Sequence, residues 1–435
     1  MRIITSAVLI VFVGMYFPVY EIVSPVQATL TLDASVSVGE SYTNNLFFTS
    51  ANKRNDFGTF VTPRLTLKYE SEYVVVGGTY AGVGQFYVNN PGANTFINGA
   101  KLLFDLPFLT RRYDRLEVKL NESFNVSPQL PAFTSIADNQ QMGGSGFGGS
   151  GFGGGQAGAG AGFAGNSLSN QGILTNRSSS AYQNRAGFRA TYHLTPTLSP
   201  SLEYSNNIRK FTSSQFQNST RHRVSVQLER KVSPTLAVNL RYRFQRIDFD
   251  GSGSSTSQAP GGSGSGISHS PRLGINYQVS PTLPINAQVG ATYTKTETRS
   301  DRINFTGNVR VSKNFSDGNA MFNFRQRIGS GGGLAAATTL SQTVLLRANK
   351  LITQYVSVFG SFGFGRNTSL AGPAIRLNTY QGNGGVSIAI SSWLNGVGSY
   401  SYRNQDSSGR FGTTAQSHNL FVGLTATALP WRIFK

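Results

Sequence analysis

Apolar and polar side chains alternate along almost the whole chain. Arg241 and Arg243 take one parity while Leu240 takes the other, and the same alternation recurs at residues 115–121 and 303–311. A period of two is typical of β-strands that have one apolar and one polar face. The pattern therefore predicts an all-β protein.

The alternating runs are about 12–15 residues long, whereas strands of soluble sheets are usually nearer 5–6. A strand that crosses a membrane needs about 9–11 residues within the hydrocarbon. We therefore predict membrane-spanning strands, 18 in number with 16 as the alternative count. They lie near residues 29–41, 56–70, 72–86, 95–107, 113–126, 180–193, 197–211, 219–231, 235–249, 268–279, 283–297, 300–312, 317–328, 338–350, 353–366, 377–389, 392–405 and 416–428.

The connections between these runs alternate between long and short. Long ones include residues 127–179 and 250–267, and short ones lie near Thr195-Pro196 and Ser233-Pro234. Short turns at one rim and long loops at the other are typical of outer-membrane barrels, although the long-loop side has one short turn near Arg299. In lipid no backbone amide can stay unpaired, so such a sheet must close. The fold class predicted is a transmembrane antiparallel up-and-down β-barrel with both termini at the periplasmic rim.

A turn sequence repeats inside the chain. The segment 193–198 (HLTPTL) recurs at 231–236 (KVSPTL) and again at 278–283 (QVSPTL), with spacings of 38 and 47 residues. Proline presets a tight turn, and the neighbouring Ser or Thr hydroxyl bonds the local backbone. A propeller blade has a similar period, but it holds four short strands and these units hold two long ones.

The first residues predict an export signal. Arg2 precedes an apolar run from Ile3 to Phe17, and small residues stand at −3 and −1 of a cut after Ala28. A transmembrane anchor is the alternative, but an apolar core of about 15 residues is short for a span of about 20. The domain assignment is a cleaved signal peptide at 1–28 and a barrel at 29–435, located in the outer membrane of a Gram-negative bacterium.

Two insertions have low complexity. Residues 143–165 and 250–266 consist mainly of Gly, Ser and Ala, and both fall in predicted extracellular loops at 127–179 and 250–267. Gly144, Gly146 and Gly149 match G-x-G-x-x-G, but no strand precedes them and no helical pattern follows. We interpret both segments as glycine-rich surface loops rather than as a dinucleotide site.

Composition supports the same class. Charged residues make up 13% of the 435 residues, against about 25% in ordinary soluble domains. The chain has no cysteine, which excludes disulfide scaffolds, cysteine-ligated metals and thiol nucleophiles. The net charge is +19. Because this charge is spread over alternating strand positions outside the cytoplasm, we do not interpret it as a nucleic-acid-binding surface.

Arginines at the polar positions of the alternating strands are the one feature of these strands that suggests a specific chemistry. Carboxylates that the pattern places there are fewer: Glu117, Glu203 and Glu229. In one interpretation these arginines only solvate the lumen and pair with the few carboxylates or with phosphates; in the other they make an electropositive lumen that favours anions. The predicted lumen-facing basic residues are Arg185, Arg189, Arg209, Arg221, Arg223, Arg241, Arg243, Arg272, Arg310, Arg325 and Arg327.

Motifs for catalysis and for cofactors are weak. The four histidines have no H-x-x-H or H-E-x-x-H spacing. His269-Ser270 and His418-Asn419 suggest a barrel hydrolase, but adjacent residues on a strand point to opposite faces. We predict no enzymatic activity, no catalytic residue, no metal site and no cofactor.

The chain also resembles a known family. The segment S-Y-T-N-N-L-F from Ser41 to Phe47, the signal peptide and the V-S-P-T-L turns are similar to the outer-membrane β-barrel porin type 2 group. Some members of that group are associated with exosortase and exopolysaccharide systems. The resemblance implies an outer-membrane barrel without catalytic residues and without a defined substrate. The chain departs from the usual assembly signal because Phe434 is followed by Lys435.

Two functions follow as hypotheses. The first is a porin-like channel with a basic, anion-favouring lumen, and the alternative is a conduit or scaffold of an exopolysaccharide or surface-polymer export system. Expected partners are outer-membrane lipid and lipopolysaccharide, the barrel-assembly machinery, and anionic solutes or polysaccharide, with no nucleic acid.

Overall fold

The computed structural model describes residues 28–128, 180–212, 218–249, 265–296, 299–329, 339–369, 376–408, 413–428 and 431–434. The predicted signal peptide at 1–28 and the predicted glycine-rich loops at 127–179 and 250–267 lie almost wholly outside these residues.

The described residues are organised almost entirely as β-strands, which we number in chain order. The strands are β1 Thr29–Thr43, β2 Asp56–Glu70, β3 Val75–Tyr87, β4 Thr95–Asp105, β5 Leu116–Pro128, β6 Ser180–Tyr192, β7 Leu198–Phe211, β8 Ser219–Ser233, β9 Leu236–Phe249, β10 Ser265–Ser280, β11 Leu283–Thr296, β12 Arg299–Phe315, β13 Gly318–Gly329, β14 Thr339–Leu351, β15 Val356–Ser369, β16 Arg376–Ala389, β17 Leu394–Ser408, β18 Thr413–Thr427 and β19 Trp431–Phe434.

The sheet closes into a barrel. Each strand from β1 to β18 pairs antiparallel with the next, and β1 also pairs with β18. At that seam Ser37 stands opposite Thr425, and their hydroxyl oxygens are 2.8 Å apart. Strand β19 continues beyond β18 along the same edge of β1. Because β18 and β19 pair with the same edge of β1, the barrel has 18 strands around its circumference. This confirms the predicted strand count and fold class.

The two faces of the wall have opposite chemistry. On β12 and β18 the apolar side chains of Phe305 and Val422 are 76% and 68% exposed, whereas Thr306 and Ser417 of the other parity are only 2% and 1% exposed. Exposed apolar side chains outside and buried polar side chains inside are the inverse of a soluble protein and suit lipid. We call the parity of Thr306 and Ser417 the inner face and the other parity the lipid-facing face.

The short-turn rim is built by one repeated hydrogen bond. Thr195 Oγ1 accepts from the Leu198 backbone N–H, and Ser233 Oγ accepts from that of Leu236, each at 3.0 Å. The predicted local bond is thus confirmed at these two turns. The same bond closes turns without proline, at Ser71, Thr353 and Ser391. A hydroxyl that bonds its own turn satisfies a backbone donor that would otherwise rely on water.

Helices are short in the described residues. A 3-10 helix spans Pro91–Ala93 at the long-loop rim, and the α-helix α1 spans Pro107–Arg112 between β4 and β5 at the short-turn rim. No helix in the described ranges has the length and apolar character needed to cross a membrane.

The observed strands include one that the sequence-based prediction lacks. Strand β19 is not predicted, because its pairing with Leu30 and Leu32 is visible only once the barrel closes. The predicted short turn at the long-loop rim is confirmed, since β11 ends at Thr296 and β12 begins at Arg299.

Candidate functional site

The basic side chains and the small polar side chains share the inner face. Arg243 of β9 stands opposite Ser225 of β8 and Ser270 of β10. Ser225 and Ser270 are among the buried polar residues of the barrel. Cross-strand neighbours lie on the same side of a sheet, so this register assigns Arg243 to the inner face.

The register gives the same parity to the whole predicted set. Arg310 is exposed and the other ten side chains are partly buried. The residues of this set lie on β6–β10, β12 and β13, with none on β11: Arg185, Arg189, Arg209, Arg221, Arg223, Arg241, Arg243, Arg272, Arg310, Arg325 and Arg327.

Two arginines stand directly opposite one another. Arg241 of β9 pairs with Arg272 of β10, and like charges in such positions repel. The Arg241 guanidinium is held on the other side, because its Nε and Nη2 both donate to Oε1 of Gln227. Arg272 in turn faces Gly290, where an added Cβ would lie 2.9 Å from Arg272 Cγ. A glycine is needed there because the β10 backbone at Pro271 and Arg272 comes too close for a Cβ.

The arginines form one electrostatic unit. Arg243 lies close enough to Arg272, Arg241 and Arg325 to be repelled by each of them. Arg223 experiences the same repulsion from Arg243 and from two further arginines of β6 and β8. Removal of any one charge will therefore alter the field at the others.

Glu203 is the counter-charge at the centre of this group. It pairs across strands with Arg189, whose Nη2 lies 3.1 Å from Glu203 Oε2, and the two side chains are only 20% and 15% exposed. The carboxylate is also close to Arg241 and Arg243. One carboxylate thus offsets part of the charge of three arginines.

Among the described residues, carboxylates on the inner face are confined to the first part of the chain. Besides the three predicted ones, the register adds Asp33, Asp56, Glu70 and Asp105, which the sequence-based set omits. Several make ion pairs, such as Lys68–Glu70 at 2.7 Å. From β9 to β18, by contrast, no Asp or Glu of the described residues has inner-face parity.

Other inner-face bases are missing from the sequence-based set. Arg64, Arg347 and Arg403 share the parity of buried Ser and Thr, and so do Lys101 and Lys119. The alternation that identified the other arginines is present here as well, since Arg347 stands between Leu346 and Ala348. The same parity rule applied to β2, β14 and β17 finds all three arginines.

The loop between β1 and β2 folds into the barrel mouth. Leu46 is fully buried against Phe60, Val83 and Ile97, which all have inner-face parity. Phe48, with a left-handed backbone φ of 50°, places its ring 5.0 Å from the guanidinium of Arg403 on the facing strand β17. The first long loop therefore narrows the mouth on the side of β1–β4 and β17.

Two asparagines attach this loop to the last strand. Asn44 Oδ1 accepts from the His418 backbone N–H at 2.9 Å, and Asn45 Nδ2 donates to the Gln416 carbonyl at 2.9 Å. Asn45 also bonds the Thr49 backbone twice, since its Nδ2 donates to the Thr49 carbonyl and its Oδ1 accepts from the Thr49 N–H. These are the residues of the S-Y-T-N-N-L-F segment, and their contacts link the first strand to the last.

The histidines of the two pairs contact tyrosines and not their neighbours along the chain. His269 Nδ1 lies 2.6 Å from the Tyr242 hydroxyl on the lipid-facing face, whereas Ser270 bonds Thr292 at 2.8 Å on the inner face. His418 likewise contacts Tyr400 and not its neighbour along the chain. In the part of the chain that is described, no three His, Cys, Asp or Glu side chains are grouped to hold a metal.

Comparison with solved structures finds other barrels. The outer membrane protein OpdK from Pseudomonas aeruginosa is 10% identical with a TM-score of 0.45, and the match covers 92% of this chain and 99% of that one. OccK7 (OpdD) from the same organism is 11% identical with a TM-score of 0.43, covering 93% and 100%. OccAB4 from Acinetobacter baumannii is 10% identical with a TM-score of 0.40, covering 91% and 98%. Identities and TM-scores as low as these support no conclusion about the solute that this barrel transports.

The fold itself decides the location. A closed 18-stranded wall with an apolar exterior is stable in lipid and not in water. The protein is an outer-membrane β-barrel of a Gram-negative bacterium. No family model and no curated protein matches the chain, so membership of the porin type 2 group stays a prediction.

Proposed function

We propose that the barrel is a passive, porin-like channel whose lumen favours anions. Barrels of 16–18 strands leave an aqueous interior rather than a packed core. The observation that carries the proposal is the charge imbalance of the inner face from β9 to β18. Arg241, Arg243 and Arg272 belong to that stretch together with further arginines, and no carboxylate of the described residues shares it.

Ion pairing separates the two interpretations of the inner-face bases. On β2–β7, bases have nearby carboxylates, as in Arg189–Glu203 and in Lys119–Asp105 at 3.6 Å. On β12–β18 most bases face hydroxyl and amide groups instead, as Arg325 faces Asn308 and Thr343. Solvation and pairing account for the first group. The second group supplies a net positive field, which a concave low-dielectric wall concentrates.

The polymer-conduit alternative has no observation of its own among the described residues. A channel needs only the closed wall and its polar interior, and its apolar exterior would contact outer-membrane lipid and lipopolysaccharide. The channel is therefore the function that the geometry supports best.

The test compares charge removal on the two faces. Arg221, Arg223, Arg241 and Arg243 are changed to Gln together, and the reversal potential is measured in planar bilayers under a KCl gradient. We expect the anion preference to fall toward no preference, because these four charges neighbour one another.

The matched control removes charge from the lipid-facing face of the same two strands. Arg230 of β8 and Arg246 of β9 have that parity and are exposed. The double change Arg230→Gln with Arg246→Gln should leave the reversal potential where it is. A quadruple variant that keeps the wild-type reversal potential contradicts the basic-lumen proposal and leaves the fold intact.

A further inference from the structure

A row of polar side chains on β14, β15 and β16 has donors without acceptors. Arg347 stands directly opposite Ser361, and Ser361 stands directly opposite Asn383. The Nε and Nη2 of Arg347 and the Nδ2 of Asn383 are buried, and none of these three atoms has a hydrogen-bond partner. Buried donors left in this state cost free energy until an acceptor reaches them.

The position between the two donors is occupied by a small residue. Ser361 contributes one hydroxyl and little bulk between the guanidinium and the amide. Neighbouring strands lie about 4.8 Å apart, which puts the backbones of β14 and β16 about 10 Å from each other. That span suits a single oxyanion bound from both sides by side chains of this length.

The surroundings favour a negative charge. Arg310 of β12 is exposed and close enough to Arg347 to repel it. Across the row, Asn383 faces Ser401, and no carboxylate of the described strands β9–β18 shares this face. A guanidinium binds carboxylate, phosphate or sulfate oxygens through two parallel N–H donors, a geometry that chloride does not match.

Arg347 also differs from the arginines that are already held. Arg241 is anchored by Gln227 and Arg189 by Glu203, whereas Arg347 makes no comparable bond. Its side chain therefore loses no protein partner when it turns toward a solute.

We propose that Arg347, Ser361 and Asn383 form an oxyanion-binding subsite in the lumen, with Arg310 as the second positive charge. The subsite would recognise the carboxylate or phosphate group of a permeating solute and hold it longer than chloride. This proposal rests on the proposed channel function, since the ligand reaches the row through the lumen.

Inorganic phosphate is the first probe. In planar bilayers, phosphate added to a KCl solution at constant ionic strength should reduce the chloride current of the wild type, because an ion resident at the row obstructs the path. We expect Arg347→Gln to need about tenfold more phosphate for the same block, and Asn383→Ala to shift it in the same direction. The control Arg366→Gln removes a charge from the lipid-facing face of β15 and should keep the block unchanged. Acetate in place of phosphate separates carboxylate from phosphate recognition.

A second variant supplies the subsite with a carboxylate of the protein itself. Ser361→Asp places a carboxylate directly opposite Arg347, and it should abolish the phosphate block. In detergent, phosphate should raise the unfolding temperature of the wild-type barrel relative to chloride, and this rise should vanish in Arg347→Gln and in Ser361→Asp. This readout does not require an open pore.

The outcomes separate the two proposals. If the wild type prefers anions but phosphate neither blocks nor stabilises it, the subsite is wrong and the channel stands. A phosphate effect that survives in Arg347→Gln also overturns the subsite. A wild type that prefers cations, yet still shows phosphate stabilisation sensitive to Arg347→Gln, overturns the anion-favouring lumen and supports the subsite.

Discussion

Glu203 shows how a single residue sets the balance of charge in the lumen. Its carboxylate is bonded to Arg189 and lies near Arg241 and Arg243, and it is mostly buried. A buried pair of this kind gains Coulomb energy but loses hydration, so its main effect here is to reduce the positive field.

Replacement of this carboxylate should strengthen the anion preference. In Glu203→Gln the three neighbouring guanidinium groups lose their shared counter-charge, and we expect the reversal potential under a KCl gradient to move further in the anion direction. Glu40→Gln is the control, because Glu40 lies on the lipid-facing face, where it accepts from Thr59 Oγ1 at 2.7 Å. A shift toward cations in Glu203→Gln contradicts the assignment of this residue to the conducting face.

Gly290 is required by the close approach of β10. A Cβ at this position would lie 2.0 Å from the Pro271 carbonyl oxygen and 2.8 Å from Arg272 Cα, so the backbone itself has to move. We expect Gly290→Ala to destabilise the folded barrel by about 1–3 kcal/mol, as overpacking does elsewhere. The measurement is the temperature at which the compact band of the unheated protein disappears on gels. At Gly382 nothing lies within 4 Å of an added Cβ, so Gly382→Ala should behave as wild type.

At the scale of elements, the loop between β1 and β2 has two roles. Its buried Leu46 packs in the barrel mouth, and its asparagines bond the backbone of β18 across the seam. A loop held by both kinds of contact fixes the width of the mouth and strengthens the closure of the barrel.

Loss of the Asn45 side chain should weaken that closure. Asn45→Ala removes the bonds to Gln416 and Thr49 and leaves buried backbone groups without partners, at a cost of about 1–3 kcal/mol. The folded band should therefore be lost at a lower temperature, and single-channel conductance should become noisier or larger as the loop leaves the mouth. Lys53→Ala, in the exposed part of the same loop, is the matched control. Unchanged stability and conductance in Asn45→Ala would show that the loop is held by its apolar contacts alone.

The elements that sequence reasoning predicts are those governed by local pattern. Alternation identifies the 18 spanning strands. In five short turns the Ser or Thr hydroxyl is within three residues of the backbone donor that it accepts from. The inward fold of the first loop has no local signal, because Asn45 and Gln416 are 371 residues apart in the chain. The positions of Arg347 and Arg403 on the inner face can be predicted from the local pattern, since parity alone locates them. The lack of hydrogen-bond partners at the buried donors of Arg347 and Asn383 is known only from the structure.

At the scale of the whole molecule, the barrel separates charge around its inner circumference. Carboxylates of the inner face lie on β1–β8, whereas from β9 to β18 the described residues of that face offer arginines among hydroxyl and amide groups. The first loop narrows the mouth beside β1–β4, and its Phe48 ring reaches Arg403 of β17. If the barrel conducts as proposed, an anion that enters the lumen would be guided along the arginine-bearing wall.

The reversal potential of the unmodified barrel tests this account most directly. The purified protein is inserted in a planar bilayer, and the potential of zero current is read across a KCl gradient, first at low and then at high mean concentration. We predict a sign that corresponds to anion preference, with a magnitude that falls as salt rises, because screening at about 0.1 M acts over about 10 Å and shortens further above it. A sign that corresponds to cation preference at low salt would contradict the account.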